Sequence, residues 1–459
     1  VTAIAVGGAV SSGLVKAMRS GSWLFRWNDN GGDHMREAKK VGPVAAAQPR
    51  LARALVAAAV MAAFAGAAQA QETLKIGLLA TLEGPFAVPG QDSMRGAELA
   101  LKQRNGMAGG KKIEFIKASS NAQPDVAVNA ARKLVEQDKV PIMIGPLSGS
   151  EGVAVKNYSK SQPGVTFVNG ASGAQETTLV DPSPNFFRFN TEGAQWMVGL
   201  GDYALSKGYK KMALISEDYS FPYSQVQGFM GGYCKGGGKM VQKIWVPLGT
   251  KDYASAIAQI PTDVDALLVV LGGSDAVNFL TQYEQAGGDK PMIGGSITVD
   301  QTVLGYRGKR RDSIIGTASA GPMADSIDTP EWKKFVADYR STFKDGLPSP
   351  SLFAFLYYIN TSAVLEGLDA VKGDLSDGHK KFREALTKLE LKTPVGTYKL
   401  DSNRNAIGPT FITEVAKGPD GKFFNKVVKK VDSVDQTLNL GKAEFDKMGL
   451  GSRDNPNCP

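Results

Sequence analysis

Leu74-Lys-Ile-Gly-Leu-Leu-Ala80 is a short apolar run, and its alternation with helical patterns downstream decides the fold. Asp92–Asn105 places Met94, Ala97, Ala100 and Leu101 at helical spacing, and Ile113–Lys117 is a second strand-like run. Pro124 opens a further helix in its first turn, where a missing N–H is harmless, with Ala127, Ala130, Ala131 and Leu134 on one face. A strand over Val140–Gly145, a helix over Glu151–Lys160 and a strand over Val165–Asn169 continue the alternation. Strands separated by helices of this length pair in parallel, with helices covering both faces of the sheet.

The pattern then restarts. A helix over Ala194–Lys207, ended by Gly208, leads to strands at 211–216, 240–246, 266–271 and 291–295, with helices at 223–235, 253–260 and 276–285 between them. Two such series predict two similar α/β lobes. Beyond Gly321-Pro322 the pattern changes to three helices. Thr329-Pro330 caps the first, the second spans Leu352–Val371, and the third runs over about 378–389. The stripe Phe353, Leu356, Tyr357, Ala363, Val364 and Leu368 on the second reads as packed core. Strand-like segments at 395–400, 410–415 and 422–431 close the chain.

Upstream of the first strand, Arg50 and Arg53 precede an apolar run, Leu55–Ala67, and then Ala68-Gln-Ala70. Basic region, short apolar region and small-residue site together form a secretory signal. Residues 35–70, starting at Met35, are expected to be that signal, and residues 1–34 an upstream extension, with a genuine N-terminal arm as the alternative. The working protein then begins near Gln71 and is exported to the periplasm. The leader holds eight Lys/Arg against three Asp/Glu, so five of the chain's eight net positive charges leave with it. The remaining charges are interspersed, with no basic stripe carrying aromatics, which excludes nucleic-acid binding.

Two cysteines remain, Cys234 and Cys458. An even count in an oxidising compartment favours a bridge, which would pin the C-terminal tail; two free thiols are the alternative. After export the one histidine is His379, in Ser376-Asp-Gly-His-Lys-Lys, expected to be a solvated helix start. One histidine and two distant cysteines make no ordinary zinc site. No catalytic template is met: Gly170-Ala-Ser-Gly-Ala174 fails G-x-S-x-G at its last position, and Gly106-Met-Ala-Gly-Gly-Lys-Lys has neither P-loop spacing nor the following Ser/Thr. Neither an enzyme nor a cofactor or metal is expected.

Ligands of open parallel sheets bind beyond the carboxyl ends of the strands. These exits are Leu82–Gly90, Gly145–Glu151, Asn169–Ala174, Glu217–Tyr223, Gly272-Gly-Ser274 and Gly294-Gly-Ser296. Ser148-Gly149-Ser150 stands directly before a helix, whose free amides and positive end would favour a carboxylate; an ordinary serine cap is the plain alternative. Ala171, Ser172 and Gly173 form a second small-residue exit beside it, and Ser274 and Ser296 end strands of the second lobe. Phe86, Phe221 and Tyr223 offer flat apolar walls, with core packing as the alternative for the two phenylalanines.

Lys75-Ile-Gly-Leu-Leu, Gly84-Pro, Gly90, Gly96-Ala-Glu-Leu-Ala100, Phe187-Arg188, Glu217-Asp-Tyr-Ser-Phe221, Gly287-Gly288 and Gly396-Thr-Tyr-Lys-Leu-Asp401 together resemble type I periplasmic binding proteins of the leucine/isoleucine/valine-binding family. The resemblance implies two Rossmann-like lobes joined by three hinge crossovers, near Asn190, Gly321 and Leu400. Lobe 1 would be 71–190 plus 322–400, and lobe 2 191–321 plus 401–459. It also implies a monomer that closes around a small ligand and docks on an ABC permease. Amino-acid-binding members place a tyrosine where this chain has Pro89, a hydroxyl residue near Gly173 and an acid where Ser296 stands. Losing that acid removes the partner of an α-ammonium, which is costly to bury unpaired. Asp300, four residues on, is the substitute to test. The expected ligand is therefore a small carboxylate without an amine, preferably aromatic. A branched-chain or other amino acid is the alternative ligand, and a sensory ligand-binding module the alternative role.

Overall fold

The computed structural model describes residues 72–305 and 312–458. The signal and the upstream extension expected over residues 1–70 lie outside the described residues. The run Ile76–Thr81 is buried on both faces, as a central parallel strand requires. It forms most of β1 (Thr73–Thr81), which is followed by α1 (Ala87–Lys102), the short β2 (Met107–Ala108) and β3 (Lys111–Ser120). Next come α2 (Pro124–Arg132), β4 (Ile142–Ile144), α3 (Gly149–Ser159), β5 (Thr166–Val168), α4 (Glu176–Leu179) and β6 (Phe186–Phe187). These strands make one sheet in the order β2-β3-β1-β4-β5-β6, parallel throughout except for the β2–β3 pair.

The chain then passes through α5 (Gly193–Trp196) and α6 (Leu200–Ser206) into β7 (Lys211–Glu217), α7 (Ser220–Lys235), β8 (Lys239–Val246), α8 (Ala254–Ala258), β9 (Ala266–Val270), α9 (Gly273–Gln285), β10 (Met292–Gly294), α10 (Gln301–Leu304) and β11 (Ala318–Gly321). It returns to the first sheet as α11 (Pro330–Thr342), α12 (Leu352–Ala370) and α13 (Lys380–Lys388). It ends with β12 (Leu391–Thr393), β13 (Gly396–Leu400), β14 (Ala406–Lys417), β15 (Phe423–Val434) and α14 (Lys442–Met448). The second sheet runs β12-β13-β14-β11-β10-β9-β7-β8, with β15 added on β14. Its β8, β7, β9, β10 and β11 are parallel and β14 is antiparallel to β11.

The stripe on α12 is core: Phe353, Leu356, Tyr357, Val364 and Leu368 are buried with Ile76, Leu78, Ala97 and Trp332 in one apolar cluster. The approach of α12 to α1 depends on Gly96, where a Cβ would stand 2.0 Å from the Ala354 carbonyl oxygen.

Three local differences from the sequence reading have physical causes. The helix expected over 194–207 is broken into α5 and α6, because Gly199 adopts φ +83°. Helices α1 and α7 start earlier than their apolar spacing indicates, with Pro89 and Pro222 taken into their first turns. The third corrects an expectation: His379 is not solvated. It is 5% exposed, holds φ 67° before α13, and its Nδ1 lies 2.9 Å from Thr166 Oγ1. Burial and the neighbouring Arg383 push its imidazole down to about 4, so it is neutral at physiological pH.

Cys234, on the last turn of α7, is bonded to Cys458 with their Cα atoms 5.1 Å apart. The tail before Cys458 lies along α7 and β8. Gln227 bridges Gly449 O and Gly451 N, and Lys243 Nζ donates to the carbonyls of Asp454 and Pro456 at 3.0 and 2.7 Å.

Candidate functional site

The carboxyl ends of the parallel strands in both sheets face a common cleft. On the first lobe, β4 leads through Ser148 into α3. The Ser148 Oγ accepts from Glu151 N at 3.4 Å, and Glu151 Oε2 accepts from Ser148 N at 3.0 Å, a reciprocal cap. The serine hydroxyl therefore caps the helix, which is the plain alternative for it. The amides of Gly149 and Ser150, at the first two helical positions, lie outside this cap. The Ser150 Oγ reaches across to Ser220 Oγ on the second lobe, 3.1 Å away.

From β5, Asn169 Nδ2 holds the Ser172 carbonyl at 2.9 Å and Asn190 Oδ1 at 2.8 Å, which shapes the Ala171–Gly173 loop. Ala171 and Gly173 face the cleft. Ser172 turns toward α3, with its Oγ 3.5 Å from Gly149 O.

The second lobe sends Phe221, in the first turn of α7, into a slot walled by glycines. A Cβ on Gly149 would stand 2.7 Å from Phe221 Cβ, and one on Gly173 2.8 Å from the ring. Trp196 meets the Phe221 ring edge-on at 5.5 Å, and Tyr219 lies 6.4 Å from it and 6.5 Å from Phe86. Phe86 in turn presses on Gly272 and Gly273 of the opposite lobe. Phe86, Ser148, Gly149, Ala171, Gly173 and Phe221 thus share one cavity, with Leu147, Trp196, Tyr219, Ile297, Leu352 and Phe353. The side chains close it to about 10 Å³, the space of about one water. That is far below the volume of a small-molecule site.

Five of the expected residues do not line this cavity: Ser150 and Ser172, held as above, and Tyr223, Ser274 and Ser296. Tyr223 bonds to Asp218 and packs edge-on against Trp245 at 5.0 Å. Ser274 is turned to Asp275, 3.3 Å away. Ser296 is buried and exchanges two bonds with Gln225: its Oγ accepts at 2.7 Å and its amide donates at 3.0 Å. Asp300 is committed as well. It accepts from Thr302 N at 2.9 Å as the cap of α10, and from Leu352 N at 2.7 Å. Burial raises it to about 6.

The cavity lining carries no charged side chain. Tyr219 was legible, since it stands inside Glu217–Tyr223, the exit that also contains Phe221. Leu352 and Phe353 were not, because at the start of an apolar helix a pocket wall and core have the same composition. Among the described residues, no group of His, Cys, Asp and Glu is placed to hold a metal ion.

Behind the cavity a buried polar network crosses between the sheets. The Arg188 guanidinium donates to Asn405 Oδ1, Ala174 O and Thr178 Oγ1 at 2.5–2.7 Å. Burial pushes Arg188 down to about 10 and Glu192 up to about 7. The Thr410 hydroxyl lies within reach of Trp196 O and Gly321 O, at 2.6 and 3.1 Å, and so ties together the connections after β6 and after β11.

Residues 73–421 match the periplasmic binding protein family. The chain is 26% identical over 386 residues to the Leu/Ile/Val-binding protein homolog 6 of Brucella melitensis, covering 82% of this chain and 96% of that one. Among solved structures, it is 29% identical to an ABC transporter substrate-binding protein from Sphaerobacter thermophilus, with a TM-score of 0.71, covering 80% and 99% of the two chains. It is 27% identical to the solute-binding protein of an ABC transporter from Rhodopseudomonas palustris BisB5 in complex with 3,4-dihydroxybenzoic acid, with a TM-score of 0.73, covering 79% and 98%. Two α/β lobes meeting at their strand ends, a cavity between them, and a family match over most of the chain lead to one conclusion: this chain belongs to the periplasmic binding protein family, as a type I solute-binding receptor of ABC transporters related to the Leu/Ile/Val-binding proteins.

Proposed function

We propose that this protein captures a small aromatic carboxylate in the periplasm and delivers it to an ABC permease. The observation that carries the ligand class is the cavity lining. It presents aromatic walls from both lobes and no acid to pair with an α-ammonium, while Ser296 and Asp300 are occupied by protein partners. In this reading the amides of Gly149 and Ser150, at the positive end of α3, take the carboxylate. Phe86, Tyr219 and Phe221 enclose the ring. Lobe 1 comprises 71–190 and 322–400, lobe 2 comprises 191–321 and 401–459, and the Arg188 network lies at the hinge. The likeness to a protein solved with 3,4-dihydroxybenzoic acid supports the ligand class.

A second reading, a branched-chain amino-acid receptor, is favoured by the Leu/Ile/Val-binding name of the Brucella relative. Titration calorimetry of residues 71–459 against benzoate, 3,4-dihydroxybenzoate, leucine and valine separates the two. Binding of the benzoates without leucine or valine is the expected result. Binding of leucine or valine alone overturns the aromatic assignment.

A further inference from the structure

The cleft wall of the second lobe contains a carboxyl group whose bonding is incomplete. Glu217 ends β7 and is fully buried. Its Oε1 accepts from Gly272 N at 2.9 Å, and its Oε2 is buried with no hydrogen-bond partner. The group lies directly behind the cavity. A Cβ on Gly272 would touch Ile297 and Phe86, both cavity-lining, and the hydroxyl of cavity-lining Tyr219 is the side-chain neighbour that eases the charge on Glu217. The charged group that acts on it is Asp275, of like sign and itself buried, which holds Gly249 N. Leaving a buried carboxyl oxygen unpaired is costly, and such a group persists where something else completes its bonding.

We infer that Glu217, with Tyr219 beside it, is a specificity-determining subsite that reads a hydroxyl group on the ring of the bound acid. The inference rests on the aromatic-acid reading above and refines it. Burial first, and then the like charge of Asp275, hold the Glu217 carboxyl well above the usual carboxylate range. Both effects disfavour a second anion beside the ligand carboxylate, and a carboxyl group in its protonated form can donate to a phenolic hydroxyl as well as accept from it.

The test is calorimetric binding of benzoate, 3-hydroxybenzoate, 4-hydroxybenzoate and leucine to the wild type and to Glu217→Leu, Glu217→Gln and Tyr219→Phe. At least one hydroxybenzoate is expected to bind the wild type on the order of tenfold tighter than benzoate, the worth of about one net hydrogen bond. In E217L that ratio falls to about one, and E217Q, which keeps a donor and an acceptor, retains part of it. Equal wild-type affinity for benzoate and both hydroxybenzoates overturns the subsite and leaves the aromatic-acid reading standing; so does an unchanged ratio in E217L. Binding of leucine with no benzoate overturns both. Should E217L fail to fold, the wild-type ratio and its loss in Y219F decide the matter.

Discussion

At the scale of single residues, the molecule places polar groups where burial changes their chemistry. His379 is the clearest case. Its folded pKa is lowered from 6.5 to about 4 by burial and by Arg383. Between these values the unfolded chain binds the proton and the folded chain does not, so stability is present above about 6.5 and is lost as the pH falls toward 4. The expected loss over that window is about 2 kcal/mol. Urea unfolding of wild type and His379→Gln at pH 7 and pH 4.5 checks it. The wild type should lose about 2 kcal/mol more than the variant, and parallel losses would refute the assignment. The sequence around His379 is polar, and nothing in it announces burial. That comes from Thr166, more than two hundred residues earlier in the chain, and from the fold of α13 against β5.

At the scale of elements, α7 joins the two functional ends of the second lobe. Its first turn carries Phe221 into the cleft, and its last turn carries Cys234, bonded to Cys458. The bridge closes a loop of 224 residues in sequence, so removing it chiefly frees the unfolded chain. The double variant Cys234→Ser/Cys458→Ser is expected to lower unfolding free energy by about 2–5 kcal/mol, with Lys243 and Gln227 still holding part of the tail. Denaturant unfolding of the oxidised wild type against the variant measures this, and coincident curves would show that the tail contributes nothing.

At the scale of the whole molecule, the two lobes meet through complementary shapes. Gly149 and Gly173 on the first lobe leave the slot that Phe221 of the second enters. Gly173→Val therefore props the lobes apart while leaving each lobe's own core untouched. Small-angle scattering with saturating 3,4-dihydroxybenzoate should give a larger radius of gyration for G173V than for the wild type, with affinity lower on the order of tenfold. Adding Phe221→Ala should restore the compact radius, because it removes the ring that the valine strikes, while affinity stays low because the same ring walls the ligand. A G173V protein as compact and as tight-binding as the wild type would show that the slot does not govern closure.

The repeating strand and helix periods determined the two α/β lobes, and the position of the strand exits located the cleft. Periodicity records which face of each element is buried, and parallel sheets place their loops at one end. Tertiary structure alone decided the rest. Phe86 and Phe221 were legible as aromatics, yet only the meeting of the lobes placed them together. Tyr223, Ser274 and Ser296 had the right residue types at the right exits, but local partners turned them aside. Leu352 and Phe353 joined the cavity from a helix that reads as core. Exit loops set where a side chain begins. The direction it takes is set by which neighbour it meets, Asp218 and Asp275 close in the chain or Gln225 far from Ser296, and residue type alone does not choose between them.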